Sequence, residues 1–223
     1  MAGILIMLFK IVKRITKNNL YALIATGAFA FSIACTTMTI YLRMYATLTF
    51  FVLSMIYMNL KIYERKNTAK FTDFLILGLI TLLGTLTQYY FILFEGLTGL
   101  IMLVFQIKER NIKDLIKYII TAVLGSAAAL CIYPYIITNV LGGNRGFGSL
   151  SISIDPNTVV TYFAYKIGTY IQVLAKDVFL NQIWLLALCI VAFIGFWIYL
   201  RFVRKEKLSR TAFMAFVPSL VYF

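Results

Sequence analysis

The chain has 223 residues, 62% hydrophobic and only 13% charged, with no histidine. Soluble domains run at roughly 45–50% apolar and about 25% charged residues, so this composition excludes an ordinary soluble protein and indicates a polytopic membrane protein. A formal charge of +13 would suggest nucleic acid in a soluble chain, but here the charges fall on connections between apolar runs and imply no nucleic-acid partner.

The lack of histidine removes imidazole acid–base chemistry and His-ligated metal. Cys35, Cys131 and Cys189 are odd in number and each lies in an apolar run, which indicates neither a disulfide framework nor a metal site.

Taken in chain order, residues 2–9 are apolar but too short to span a bilayer, and they lack the leader and cleavage site of a signal peptide. They read as the tail of a helix. The next run, 20–60, is 41 residues long with Arg43 as its sole charge. One helix of that length would be about twice the ~30 Å hydrocarbon thickness, so the run divides into spans 20–40 and 44–60, with Arg43 between them at one membrane face. Residues 71–107 carry only Asp73 and Glu95 as charges. Spans 71–89 and 91–107, reversing at Thr87-Gln88-Tyr89-Tyr90, keep the flanking basic clusters on one side. The fifth span is 119–141, with a kink predicted at Pro134, and the sixth is 182–200.

Between these last two, 142–181 forms a long connection. Its glycine-rich opening, 142–148, lacks the Lys-Ser/Thr of a phosphate-binding P-loop. After Asp155-Pro156, a helix start, the spacing of Val159, Phe163, Ile167, Tyr170, Leu174 and Val178 predicts an amphipathic helix, either a connector packed on the bundle or a lid in the outer interface over a lipid substrate. Residues 211–223 begin another apolar run, so both chain ends read as truncated spans of a longer protein. The expected fold is all-α: one transmembrane domain over 1–223, with about six full spans and an amphipathic outer-face helix.

Of the 21 Lys and Arg, 17 fall in the four connections around 10–17, 61–70, 108–117 and 201–210. By the positive-inside rule these are expected in the cytoplasm, which puts Arg43, Tyr89, Tyr90 and the long loop at the outer face of the plasma membrane. Glu95 lies about five residues inside that face and is expected to face the bundle and to have a partner. Arg43 is the nearest basic candidate by depth; alternatively Arg43 is kept for a substrate phosphate, and both readings turn it inward. Arg145, in the glycine-rich stretch, is either a partner for a lipid phosphate or part of a solvated turn.

These motifs resemble a known family. A span, a short Thr-rich segment, Arg43-Met44-Tyr45 opening the next span, a basic connection, and Gly84-Thr85-Leu86-Thr87-Gln88-Tyr89-Tyr90-Phe91 on the following hairpin are similar to the C-type (GT-C) polyprenyl-phosphate-dependent glycosyltransferases, in the RgtA/B/C/D-like and family-39 protein-mannosyltransferase branch. The resemblance implies transfer of a sugar from a polyprenyl-phosphate donor to a glycan, lipid or protein acceptor at the outer face. It implies Arg43 and Tyr45 in the site, with Thr87, Gln88, Tyr89 and Tyr90 around it, and the 142–181 loop beside the donor. Gln88 stands where the family often has His. The family's catalytic acid lies in an outer loop before the helix read at 2–9, so the base is expected upstream of Met1 and this chain alone is expected to be inactive. Asp155 and Asp177 are poor substitutes. No cofactor is expected, the lipid-linked donor entering as substrate. The alternative function is a transporter or lipid flippase, which would place polar groups at the membrane midplane on repeated, broken helices.

Overall fold

The computed structural model describes residues 1–32, 35–36, 44–65, 68–141 and the single positions 161, 165, 168, 169, 171, 172, 187 and 191. Among the described residues there is no strand. Among the described residues seven helices have defined bounds, in order: α1 (Ala2–Thr16), α2 (Asn19–Ala30), α3 (Met44–Arg65), α4 (Phe71–Thr87), α5 (Phe91–Lys108), α6 (Ile112–Ile132) and α7 (Tyr135–Leu141). The sixth predicted span and most of the predicted amphipathic helix lie outside the described residues.

Local chemistry sets the helix ends, and at several places moves them from the apolar boundaries. Helix α1 does not stop at Phe9 but runs through Lys10, Lys13 and Arg14, ending where Lys17 turns left-handed at φ 54° and donates its amide to the Lys13 carbonyl. Asn18 then caps α2, accepting from the Leu20 amide at 2.8 Å. Helix α2 ends at Ala30, short of the 20–40 span; its twelve residues cover only about 18 Å. Ser32 accounts for the stop. Its hydroxyl donates to the Phe29 carbonyl and accepts from the Cys35 amide, local bonds that compete with helix continuation.

Helix α6 begins at Ile112, seven residues ahead of the predicted 119. Asn111 stands at its N-cap with Asp114 in the first turn, where a carboxylate complements the helix dipole. Pro134 ends this helix outright, where a kink was expected. Tyr133 leaves the helical region at φ −134°, ψ 80°, the extended shift that a following proline imposes, and the short α7 starts beyond it.

Packing is sequential at first, α1 against α2 and α3, and then forms a four-helix group of α3, α4, α5 and α6. The tightest crossing joins α4 and α6. A Cβ on Gly125 would stand 2.8 Å from the Gly78 carbonyl oxygen, so the two backbones meet without a side chain between them. Met55, Leu60, Leu77, Phe91 and Met102 fill the interior. Large apolar side chains also line the outside, among them Leu75, Leu79 and Leu83 of α4 and Ile116, Ile120 and Val123 of α6, while Thr81, Glu95, Thr98 and Gln106 are buried. Polar groups inside and apolar groups outside invert the order of a soluble bundle and suit a bundle solvated by lipid. Three described helices are long and apolar enough to cross a membrane: Tyr45–Arg65, Phe91–Lys108 and Ile112–Ile132.

The helix ends sort into two sets. At one end, Asp73 in the first turn of α4 is bound by Lys61 (2.8 Å) and Arg65 from the last turns of α3. There Arg14 of α1 reaches Glu64 at 2.8 Å, the Tyr63 hydroxyl donates to Glu109 at 2.5 Å, and Lys117 of α6 lies over the Phe74 ring. The last turns of α1, α3 and α5 and the first turns of α4 and α6 therefore share a charged end. The start of α3, the α4–α5 turn and the end of α6 lie at the other.

Candidate functional site

The end away from the ion pairs carries most of the described residues that the motifs single out. Tyr45 stands in the first turn of α3 and is about half exposed. Thr87 closes α4 with its hydroxyl bonded to the Leu83 carbonyl at 2.8 Å. Gln88 is extended at the α4 C-cap, its amide donating to the Gly84 carbonyl, and the chain turns at once: the Phe91 amide donates back to the Gln88 carbonyl at 2.9 Å. Tyr89 and Tyr90 pack ring to ring, centroids 4.2 Å apart.

Phe91 anchors this turn. Its ring is fully buried and lies where a Cβ on Gly84 would sit, 2.6 Å from the nearest ring carbon, so only glycine lets α5 fold back this closely on α4. Tyr45 and the Thr87–Tyr90 turn thus share one end of the bundle. Arg43 and Arg145 lie outside the described residues.

Glu95 lies beneath this end, about 6 Å along α5 from its start. It is 5% exposed and faces the bundle interior. The Thr81 hydroxyl on α4 donates to its Oε1 at 2.7 Å, and the Ser126 hydroxyl on α6 donates to its Oε2 at 3.1 Å. One carboxylate therefore ties three helices together. The Thr98 hydroxyl, one turn on, donates to the Glu95 main-chain carbonyl at 3.0 Å. The Arg43 partnership predicted for Glu95 falls on a residue outside the described set. Among the described residues Glu95 has hydroxyl partners and no ion pair.

The buried polar groups continue from Glu95 toward the charged end. Tyr118 of α6 is buried beside Asn59 of α3 and Thr98 of α5, its hydroxyl without a well-formed hydrogen bond. Gln106, Asn111 and Asp114 follow, each buried and each with a polar atom that has no hydrogen-bond partner; Asn111 donates to Asp114 at 3.2 Å.

The sequence reading isolates Glu95 but not Thr81, Ser126, Tyr118 or Asn59. Neutral residues 14 and 31 positions away carry no local mark of pairing. Their one signal is depth: by helical rise, Thr81, Glu95 and Ser126 all lie within about 9 Å of the same helix ends. Among the described residues, no group of three or more His, Cys, Asp or Glu gathers as a metal site. Chemically, the end offers aromatic rings, a hydroxyl and an amide beside the start of α3, above a buried carboxylate. No protein-family model, curated protein or solved structure matches this chain.

Proposed function

We propose that the chain is the membrane-embedded part of a glycosyltransferase that moves a sugar from a polyprenyl-phosphate donor to an acceptor hydroxyl at the outer face of the plasma membrane. The observation that carries this reading is the placement, at the same end of the bundle, of two segments 42 residues apart: the first turn of α3 with Tyr45, and the Thr87–Tyr90 turn. The paired charges at the opposite end support a cytoplasmic location for the basic connections, and so an outer location for the motifs.

In this reading six spans cross the membrane and the 142–181 connection covers the donor. Arg43 and Arg145 hold the donor phosphate, because charge-assisted hydrogen bonds stabilise the negative charge that builds on it as it leaves. The acceptor oxygen forms a bond to the anomeric carbon, the carbon–phosphate-oxygen bond breaks, and the hydroxyl proton passes to a carboxylate base. Arg43→Ala is expected to cut transfer well over about tenfold, with membrane expression unchanged. Wild-type turnover by that variant would overturn the assignment.

The buried carboxylate of Glu95 favours a second reading, a transporter or flippase, since ionisable groups inside a bundle commonly mark a path for ions or substrate. Polyprenyl-phosphate flux across vesicles that needs no sugar acceptor would select it.

A further inference from the structure

The transfer chemistry makes no use of Glu95. Each of its carboxylate oxygens meets one neutral hydroxyl, and among the described residues no cation pairs with it. A carboxylate charge withdrawn from water with only neutral donors is strongly disfavoured until it is neutralised. Either a metal ion or a proton can do this. Hard metal ions take about six or more oxygen ligands, whereas the surroundings here supply one carboxylate and two hydroxyls already bonded to it. A proton needs one oxygen, and each hydroxyl is able to reverse from donor to acceptor when it arrives.

A route for that proton is laid out toward the charged end. Tyr118 is buried beside Asn59 and Thr98, and its ring lies 3.8 Å from where a Cβ on Gly99 would stand, one turn from Glu95 on α5. Asp114, fully buried, is one turn away on the same face of α6, and Lys117 stands 3.6 Å from it with a half-exposed side chain. The other charged and titratable groups on the helices packed against α5 lie away from Glu95: Lys61, Tyr63, Glu64 and Arg65 of α3, Asp73 of α4 and Lys113 of α6 are at the charged end. On α5 itself Lys108 is about 20 Å from Glu95 by helical rise. Tyr45 and Tyr57 of α3 are placed by the first turn and by Arg14 respectively, and Cys131 is on the exposed side of α6.

We propose that Glu95 is a proton-binding site inside the bundle, loaded from the charged end through Asp114 and Tyr118. The site goes beyond the transferase reading and does not rest on it, and its test involves no sugar transfer.

The test uses the protein reconstituted in vesicles. Dicyclohexylcarbodiimide, which adds to protonated carboxyls in apolar surroundings, is expected to form an adduct at Glu95, located by mass spectrometry. The adduct is expected to be absent in Glu95→Gln and to fade as the pH is raised. Infrared spectra are expected to show a carboxylic-acid C=O band that Glu95→Gln removes, with helicity unchanged. Asp114→Asn and Tyr118→Phe are expected to slow deuterium exchange of that band at least about tenfold. Absence of both adduct and band at every pH overturns the site, and so does labelling that ignores pH. Protection by sodium ions at constant pH overturns the proton in favour of a metal ion. Unchanged exchange in both relay variants overturns the route.

Discussion

Asp73 and Glu95 are both carboxylates removed from solvent, at 1% and 5% exposure, yet they are held in opposite ways. Asp73 gathers two cations, Lys61 and Arg65, and the Lys70 amide. Glu95 gathers two hydroxyls. The difference follows from position along the helix. At a helix end, long Lys and Arg side chains reach a carboxylate while keeping contact with water; one or two turns inside, the neighbours are short, and a Ser or Thr is the polar side chain that fits. The charged end is therefore built from full charges, and the interior from neutral hydrogen bonds around one group able to take a proton.

The largest effect is expected from Asp73→Asn. It leaves Lys61 and Arg65 without their shared partner and weakens the bond to the Lys70 amide that starts α4. The cations retain partial solvent access, so the cost is about 2–3 kcal/mol, below that of breaking a fully buried pair. Thermal unfolding in detergent measures it, and the wild-type protein should lose part of this difference in high salt.

Next is the crossing that brings Ser126 and Thr81 to Glu95. Gly125→Ala pushes a methyl against the Gly78 carbonyl and the Thr81 side chain, both within 3 Å of the new Cβ. A loss of about 2 kcal/mol is expected. Gly96→Ala, on the next helix where a Cβ meets nothing within 4 Å, is the control and should be neutral or mildly stabilising. Equal effects in the two variants would show that the close approach of α4 and α6 is not what Gly125 provides. Thr81→Val then removes one hydroxyl at nearly constant shape, with about 1 kcal/mol expected. Salt should leave that loss unchanged, and in Glu95→Gln it should shrink, since the two residues act as a pair.

The helical class and the membrane character were legible because they rest on composition and run length, which tertiary contacts do not alter. Helix ends were legible where a charge or a turn residue marks them, as at the reversal around Gln88. They were obscured where two signals compete. Counting Lys113 and Lys117 as a connection hides the start that Asn111 and Asp114 announce, and the apolar run past Ala30 gives no hint that Ser32 will bond to its own backbone. For the site, the demand that Glu95 face inward follows from one residue in an apolar run. Its partners do not, because hydroxyls on α4 and α6 become neighbours only when Gly78 and Gly125 let those helices meet.

The smallest effect isolates what solvent does to a charge pair at the charged end. Arg14 Nε meets Glu64 at 2.8 Å, as close as Lys61 meets Asp73, but the two side chains are 23% and 35% exposed. Water screens the attraction, and both long side chains lose rotamer freedom to form it, so Glu64→Gln is expected to cost under about 0.5 kcal/mol. The Arg14 guanidinium also lies 5.2 Å from the centre of the Tyr57 ring, so Arg14→Ala should cost more than Glu64→Gln through lost cation–π contact and stem packing. The ordering is checked by unfolding both variants beside Asp73→Asn at low and high salt. If Glu64→Gln costs as much as Asp73→Asn, burial is not what distinguishes the carboxylates of this bundle, and the contrast between Asp73 and Glu95 would have to come from the number of donors alone.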